Sequence, residues 1–523
     1  MKKHTMIFAA AMTALTATAQ ETYLDGTLLK PQLNGTARYV GMGGAMEALG
    51  ADLSTIGTNP AGIGLFRHST ANITFGIVSQ QDAPSFDGAD KTHASFDQVG
   101  FVYSMRTARN SFLNFAFNYT KNRDFNQLLN PQGSTFGSSQ GEATAAKALD
   151  RVFDYDIKKG EVVSNSLKFT QLDYLYSNLM NYAEDEQGGY WRNFPKQAYD
   201  MRQQQWGYVG KYDLNISGNI NDRVYLGATV GIHDMHFNSV ADYAELASDG
   251  ESYINVIDEN QITGTGFDVK AGIIFRPVEE SPFRIGLSVA TPTFYDLKLS
   301  NYTSLDYLEN VENGKGGIDT YTGGGDVVYD YDFRLNSPWR FGASLGHTVG
   351  NMLALGVSYE FADYGKTDNR EIDGYDYNGY ETSSSDKAMN HHTDKTLKAV
   401  STLKVGAEFR PDPLLAVRLG FNYVSPLYEK NGNKPGDINS VGNALTGSSF
   451  TNWEETYRVT AGVGYRIDKF NIDLAYQYNT TNGSFTPYMY IKEDEVSKGS
   501  YPPETVKVSD KRHQVMLTLG YTF

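Results

Sequence analysis

The chain of 523 residues contains no cysteine. That excludes disulfides, cysteine-based zinc sites and thioether attachment of haem. A large exported chain without disulfides must be held by its backbone hydrogen bonds, as a closed barrel is. Beyond the N-terminus no window approaches the roughly twenty consecutive apolar residues of a membrane helix, and mean hydropathy is only −0.43. An all-helical membrane protein is excluded. A barrel is not, because its strands face lipid with every second residue. Basic residues are in deficit, 45 Lys and Arg against 61 Asp and Glu, for a formal charge of −16. Nucleic acid is therefore not a predicted partner.

The leader reads as a secretory signal peptide over 1–19. Lys2 and Lys3 form its charged region, Met6–Leu15 its apolar stretch, and Ala17-Thr18-Ala19 a small-x-small cleavage site, so the mature chain is expected to start at Gln20. The leader holds no acid, so its removal leaves a more acidic protein. That acidity suits solvated outer loops, bridged to anionic lipid head groups such as those of lipopolysaccharide by divalent cations. Tyrosine and phenylalanine are abundant, 36 and 28, as suits side chains at two membrane–water interfaces.

From residue 70 to Phe523 the chain alternates in polarity. Val515, Leu517, Leu519, Tyr521 and Phe523 oppose Gln514, Met516, Thr518, Gly520 and Thr522. Leu415, Val417, Leu419, Phe421 and Tyr423 oppose Ala416, Arg418, Gly420 and Asn422. Period 2 over nine or more residues crosses a bilayer at barrel tilt. About fourteen such strands can be counted. Tight joints at Thr107–Asn110, Asn219–Asp222, Pro277–Pro282, His347–Asn351, Pro411–Pro413 and Asp468–Phe470 alternate with long polar excursions. Long loops on one side only are the layout of an outer-membrane β-barrel. The predicted fold is all-β: an antiparallel membrane-spanning barrel over 70–523, its largest loop at 123–205, in the outer membrane of a Gram-negative type cell. The terminal aromatic resembles an assembly signal, which makes the barrel-assembly machinery a partner. A monomer is expected.

Residues 20–69 differ. The run from Ala37 to Gly64 is Gly- and Ala-rich and compact. Gly41-Met42-Gly43-Gly44 lacks the Gly-Lys-Ser/Thr ending and the βα unit of a phosphate loop. The pattern predicts a short helix around Gly43–Leu49 and a turn at Asn59-Pro60. Fifty residues are too many for a periplasmic tail, and a wide lumen needs filling. A plug explains both.

Asn59-Pro60-Ala61-Gly62, preceded by that run and by Asp52, resembles the N-terminal hatch signature of the FadL/TodX family of outer-membrane transport proteins. Ser281–Ser288, Val405–Pro411 and Leu519–Phe523 are similar to that family's barrel. The resemblance implies a fourteen-strand barrel plugged by its N-terminal segment, and passive uptake of hydrophobic molecules of the long-chain fatty acid or aromatic hydrocarbon type. It implies a sideways exit at a kinked strand, and it places Asn59, Pro60, Ala61 and Gly62 near the pocket. The third strand, Ser111–Thr120, departs from this in having no Gly or Pro to mark a kink.

Two readings stand for the large loop. Leu172, Leu175, Tyr176, Leu179 and Met180 recur at helical spacing. They form a capture groove or the core of their own loop cap, and the two are compatible if the groove lies between this loop and residues 296–326. Ala143–Asp150 reads as a second helix. A fatty-acid carboxylate needs a desolvated cation. The lumen-facing candidates are Arg284, Arg340, Lys404, Arg418 and Arg458, each of which is either paired with Glu360, Glu408, Asp268 or Asp473 or touches cargo. His391-His392 sits in a polar outer loop without ligand spacing around it. Asp376–Gly379 is a fragment of a calcium loop without its remaining ligands. No metal site, no cofactor and no catalytic set is predicted. The rival readings are a haemin or other lipophile receptor of the same fold, a barrel lipase, a general porin and a surface adhesin.

Overall fold

The computed structural model describes residues 21–523, apart from 82, 84, 85, 87, 157–160, 165, 180, 181, 186, 187, 192–194, 313–315, 435–437, 439, 441–445 and 490–500. Fourteen strands close into one antiparallel barrel. They are β1 Thr70–Gln81, β2 Thr92–Ala108, β3 Ser111–Asp124, β4 Ala198–Ile220, β5 Val224–Leu246 and β6 Tyr253–Phe275. Then follow β7, Arg284–Ala290 continued by Phe294–Glu312, and β8, Ile318–Asn336 continued by Arg340–Val349. The wall ends with β9 Leu353–Asp363, β10 Ala399–Asp412, β11 Leu415–Val424, β12 Phe450–Ile467, β13 Phe470–Thr486 and β14 Val506–Thr522. Each strand pairs with its neighbour in sequence. β14 returns to β1 with Thr70 opposite Thr522 and Gln81 opposite Lys511. Closure leaves the wall without a free edge.

Alternation decides which side chains meet which medium. On β11, Val417, Leu419 and Phe421 are exposed, and Leu419 keeps 63% of its surface. Arg418 and Asn422, pointing the other way, are buried. The same pattern on every strand makes an outer belt of Leu, Val, Ile, Phe and Tyr around a polar interior. Such a surface is stable against lipid and not against water. No helix among the described residues is long and apolar enough to cross a membrane.

Residues 21–66 run through the inside of the barrel. The segment holds α1 (Thr22–Leu29), α2 (Ala37–Gly41) and two short 3-10 turns, Leu53–Gly57 and Pro60–Leu65. Its contacts come from all around the wall. Ala37 donates its backbone N–H to Thr518 Oγ1 at 2.7 Å, Thr460 Oγ1 donates to the Gly41 carbonyl at 3.2 Å, and Ser217 Oγ donates to the Pro60 carbonyl at 2.9 Å. Asn114 Nδ2 reaches the Ile63 carbonyl at 2.7 Å. Ala37, Val40, Met46, Leu53, Ile56, Ala61 and Ile63 are fully buried.

The helix predicted over Gly43–Leu49 lies earlier, at Ala37–Gly41, capped by Thr36 Oγ1. Gly43 and Gly44 end it because both take positive φ, 63° and 80°. A Cβ at Gly43 would also sit 2.8 Å from the Phe421 backbone nitrogen. The wall is equally close from its own side. A Cβ at Gly406 would meet the Met42 carbonyl oxygen at 2.3 Å, and one at Gly356 would strike the Ala45 carbonyl.

Outside the belt, the loops build a cap. Its helices are α3 (Glu142–Leu149), α4 (Gln171–Leu179) and α5 (Lys387–Thr396).

Candidate functional site

Among the described residues, two adjoining cavities of the interior share part of their lining. The upper, of about 200 Å³, is walled by Phe125, Leu129, Met201, Phe237, Leu299, Trp453 and Phe485, and by the polar side chains of Lys30, Arg123, Arg458, Asp510 and Arg512. The lower, of about 130 Å³, is lined by Lys211, Asp213, His233, Tyr295, Arg340, Glu360 and Lys404.

Charge is compensated in the lower cavity away from the Lys30, Arg123 and Arg458 side chains, which line both cavities. Lys270 Nζ lies 2.6 Å from Asp268 and 3.2 Å from Asp213, and Lys211 lies 3.5 Å from Asp213. Arg340 reaches Asp268 at 3.4 Å, and His233 reaches the same carboxylate at 3.2 Å. Buried charges of this kind persist when paired.

The upper cavity is different. Its acids are already engaged. Asp510 holds Arg512 at 2.9 Å, Asp124 takes Lys121 and His93, Glu21 takes Lys434, and Asp258 accepts from Asn260, Asn301 and Thr303. Lys30, Arg123 and Arg458 form no ion pair within 4 Å among the described residues, although each feels the attraction of Asp510. Arg123 Nη1 donates to the Lys30 carbonyl at 2.9 Å; Arg458 donates to Asn422 Oδ1 at 2.8 Å and to the Pro31 carbonyl at 3.2 Å. The Nε of each guanidinium lacks a hydrogen-bond partner among the described residues. Lys30 Nζ stands 5.8 Å above the Trp453 ring. Burial, and then the Arg123 charge, push its amine down to about 7.

The other predicted cations sit elsewhere. Lys404 bonds Glu47 of the N-terminal segment at 2.8 Å and lies 3.8 Å from Glu360. Arg418 holds Glu408 at 2.6 Å and Asp473 at 2.5 Å. Arg284 donates to the Leu49 carbonyl at 3.0 Å. Of the five candidates only Arg458 lines the upper cavity; it also lines the lower one, with Arg340 and Lys404.

Asn59 is buried and caps the turn Pro60–Leu65, its Oδ1 accepting from Ala61 N–H at 3.1 Å, and Pro60, Ala61 and Gly62 are buried with it. This tetrapeptide packs on the inner wall: a Cβ at Gly227 would meet the Pro60 carbonyl carbon at 2.4 Å, and one at Gly272 would meet Asn59 Oδ1 at 2.0 Å. It lines neither cavity.

In the cap, Leu172, Leu175 and Tyr176 are buried against Ile254, Val256, Leu305 and Val327. At these positions the apolar stripe is covered by the strands' own extensions, so they form cap core rather than an open groove. Met180 and the side chain of Leu179 fall outside the described residues. His391 and His392 lie on α5, not in a loop. His392 Nδ1 pairs with Thr22 Oγ1 at 2.8 Å and its Nε2 with Thr396 at 3.2 Å, so it ties α1 to the cap. Asp376 accepts from the backbone of Asn378 and Tyr380 as a plain turn does.

Sequence reasoning missed Lys30, Arg123 and Arg512. On β3 the inward residues are even-numbered, as Asn114, Ala116 and Asn118 are. Opposite the step from Val209 to Gly210 the ladder slips past Asn122, so that Val209 faces Arg123 and Gly210 faces Lys121. This bulge reverses the parity and brings odd-numbered Arg123 to the cavities. It lies in a strand with no Gly or Pro. A second irregularity interrupts β7 at Thr291–Thr293 and β8 at Ser337–Trp339, where Pro292 and Pro338 stand opposite each other and neither can donate to the ladder.

No family model matches the sequence, and no curated protein matches it. Among solved structures, the Ralstonia pickettii toluene transporter TbuX is similar over 94% of this chain and 98% of its own, at 12% identity and a TM-score of 0.47. The crystal structure of a Pseudomonas aeruginosa FadL homologue is similar over 94% of this chain and 99% of its own, at 12% identity and a TM-score of 0.50. At that identity the likeness is one of architecture: the chain has the fold of the FadL homologue.

Proposed function

We propose that this protein is an outer-membrane channel, not an enzyme, for passive uptake of small hydrophobic molecules, and that its preferred cargo carries an acidic head on an apolar tail. The upper cavity carries this reading. An apolar wall draws the tail from water at about 25 cal/mol per Å² buried. Lys30, Arg123 and Arg458 offer a carboxylate the close ion pair that they lack within the described protein. A neutral hydrocarbon would leave those charges as they are.

The N-terminal segment acts as a plug. Its fit against inner-wall glycines argues against its leaving the barrel, so cargo leaves sideways. The bulge at Asn122 is the favoured exit, since Asn122 is exposed and borders the lower cavity. The outer belt faces membrane lipid.

The test is equilibrium binding of dodecanoate and of dodecanol to the protein in lipid nanodiscs, followed by tryptophan fluorescence. The acid should bind at least about ten-fold more tightly, or ~1.4 kcal/mol, and Arg123→Gln together with Arg458→Gln should abolish the difference. Equal affinities for acid and alcohol would refute the head-group assignment. Hydrolysis of esters by the pure protein would refute the channel.

A further inference from the structure

The closed wall has no free edge, but β8 outgrows its neighbour. On one side its upper part, Ile318–Asn336, pairs with β7 over its whole length. On the other side only Phe333–Asn336 is paired, with Asp368–Glu371 of the hairpin that follows β9. That hairpin then folds on itself: Arg370–Tyr375 pairs with Glu381–Ser385, with an irregularity between Ile372 and Gly374. No strand among the described residues pairs with Tyr321–Asp330 from that side. At roughly 3.3 Å per residue this is on the order of 30 Å of open edge.

The edge stands in water, on the long-loop side. Its exposed outward side chains are Asp326, Val328 and Asp330, followed by Asp332, where Phe341 and Leu345 supply the apolar belt below Pro338. Val328 keeps 72% of its surface. The inner side of the strand is fixed. Val327 is buried in one cluster with Leu175 and Tyr176 of α4, and Tyr331 stacks on Phe333 at 5.7 Å. Gly323 and Gly324 are exposed, and in a glycine that exposure is bare backbone. The edge is therefore both accessible and already extended.

An unpaired backbone row is a template for another strand, and proteins guard such rows with Pro, Lys or a covering loop. From Ile318 to Phe333 there is neither Pro nor Lys. The guard here is acid, and it acts against self-pairing. A second copy laid antiparallel with Val328 opposite Val328 would set Asp326 of each copy opposite Asp330 of the other. Like charges directly opposite are destabilising, whereas opposite charges there are favourable. Lys298 of β7, 3.7 Å from Asp330 at an exposed site, answers that acid only in part. A strand that brings its own cations suits this face.

We propose that Tyr321–Asp330 is a docking edge for an extended basic segment of another protein, which adds to the sheet as a further strand. Main-chain hydrogen bonds supply the affinity, and the outward face chooses the partner. Alternate outward residues of the segment read cation, apolar, cation against Asp330, Val328 and Asp326. The exposed glycines let the incoming backbone approach closely. The docking edge lies outside both cavities and does not depend on the cargo.

The probe is a fluorescent peptide, Thr-Lys-Thr-Val-Thr-Lys-Thr, titrated by anisotropy against the full chain in lipid nanodiscs. Its control is the same peptide methylated at every backbone nitrogen, which keeps the charge and loses the donors. The plain peptide should bind at least about ten-fold more tightly than the methylated one. Asp326→Asn together with Asp330→Asn should weaken it by about three-fold or more. Equal binding of the two peptides would show attraction by charge alone and overturn strand addition. No binding of either would overturn the docking edge, and an unchanged affinity in the asparagine variant would put the strand elsewhere and overturn it too. A dimer of the protein, seen by native mass spectrometry and dispersed by the plain peptide, would make the occupant a second copy and overturn the assignment to another protein. The comparison between the two peptides uses the unaltered protein, so it does not depend on the variant folding.

Discussion

Substituting Gly420 by alanine probes the contact between the inner wall and the N-terminal segment. A Cβ at Gly420 would lie 2.1 Å from the Gly43 nitrogen, 2.4 Å from the Met42 carbonyl carbon and 2.5 Å from Thr460 Oγ1. The first two are main-chain atoms, so no side-chain rotation relieves them. Gly420 sits in a regular strand, so alanine is conformationally acceptable there and the effect isolates packing. Forcing one extra carbon into a filled interior costs about 1–3 kcal/mol; with two main-chain atoms in the way, the upper end of that range applies. The control is Gly218→Ala, where an added Cβ meets nothing within 4 Å; its cost should stay within about 0.5 kcal/mol. Urea unfolding in lipid vesicles measures both, and planar-bilayer conductance shows whether the segment acts as the proposed plug. If Gly420→Ala proves as stable and as tightly closed as the parent, the segment does not rest on the wall as described.

Glu408 bonds Arg38 at 3.0 Å, Arg410 at 2.8 Å and Arg418 at 2.6 Å, and Arg418 also has Asp473; Glu408→Gln should cost about 3 kcal/mol in the same unfolding assay, the lower end for breaking a buried pair, because it leaves Arg38 without its carboxylate while Arg418 keeps Asp473. Asp25, buried beside Asn369 Nδ2 at 2.8 Å, has its carboxyl raised from 3.8 to about 8 by burial. Between those values the folded protein keeps a proton that the unfolded chain releases, so stability falls as pH rises through the window. Asp25→Asn should therefore match the parent at low pH and exceed it increasingly up to pH 8, as read by unfolding curves across pH. Leu419→Arg on the outer face should cost about 2–4 kcal/mol in vesicles if that face meets the bilayer centre. Dodecanoate affinity should fall as pH rises through about 7, where Lys30 loses its charge; a flat profile would remove Lys30 from the head-group site.

The barrel was legible because a wall between lipid and water imposes period 2 on every strand. On β11, Val417, Leu419 and Phe421 alternate with Arg418, Gly420 and Asn422 in plain view. Tight joints were legible for the same reason, since only one side of the wall allows short turns. The interior site was not. Its cations come from three places that no local pattern links: Lys30 in the N-terminal segment, Arg123 on β3, and Arg458 and Arg512 on late strands. Arg123 reads as outward until the bulge at Asn122 reverses its parity. The partners of the lumen charges were half legible. Glu408, Asp473, Glu360 and Asp268 share the strands' inward face, whereas Glu47 meets Lys404 only once the N-terminal segment lies inside the barrel. α4 was legible from its spacing, but what its apolar face would meet depended on strands β6, β7 and β8 rising beyond the belt to cover it.

The most direct measurement pairs transport with conductance on one preparation of the full chain in a bilayer. Dodecanoate should pass across the membrane at a rate set by the protein, and ionic current should stay near that of bare lipid. A large steady pore current, or no passage of dodecanoate in a correctly folded sample, would contradict a plugged channel that carries an acid-headed cargo.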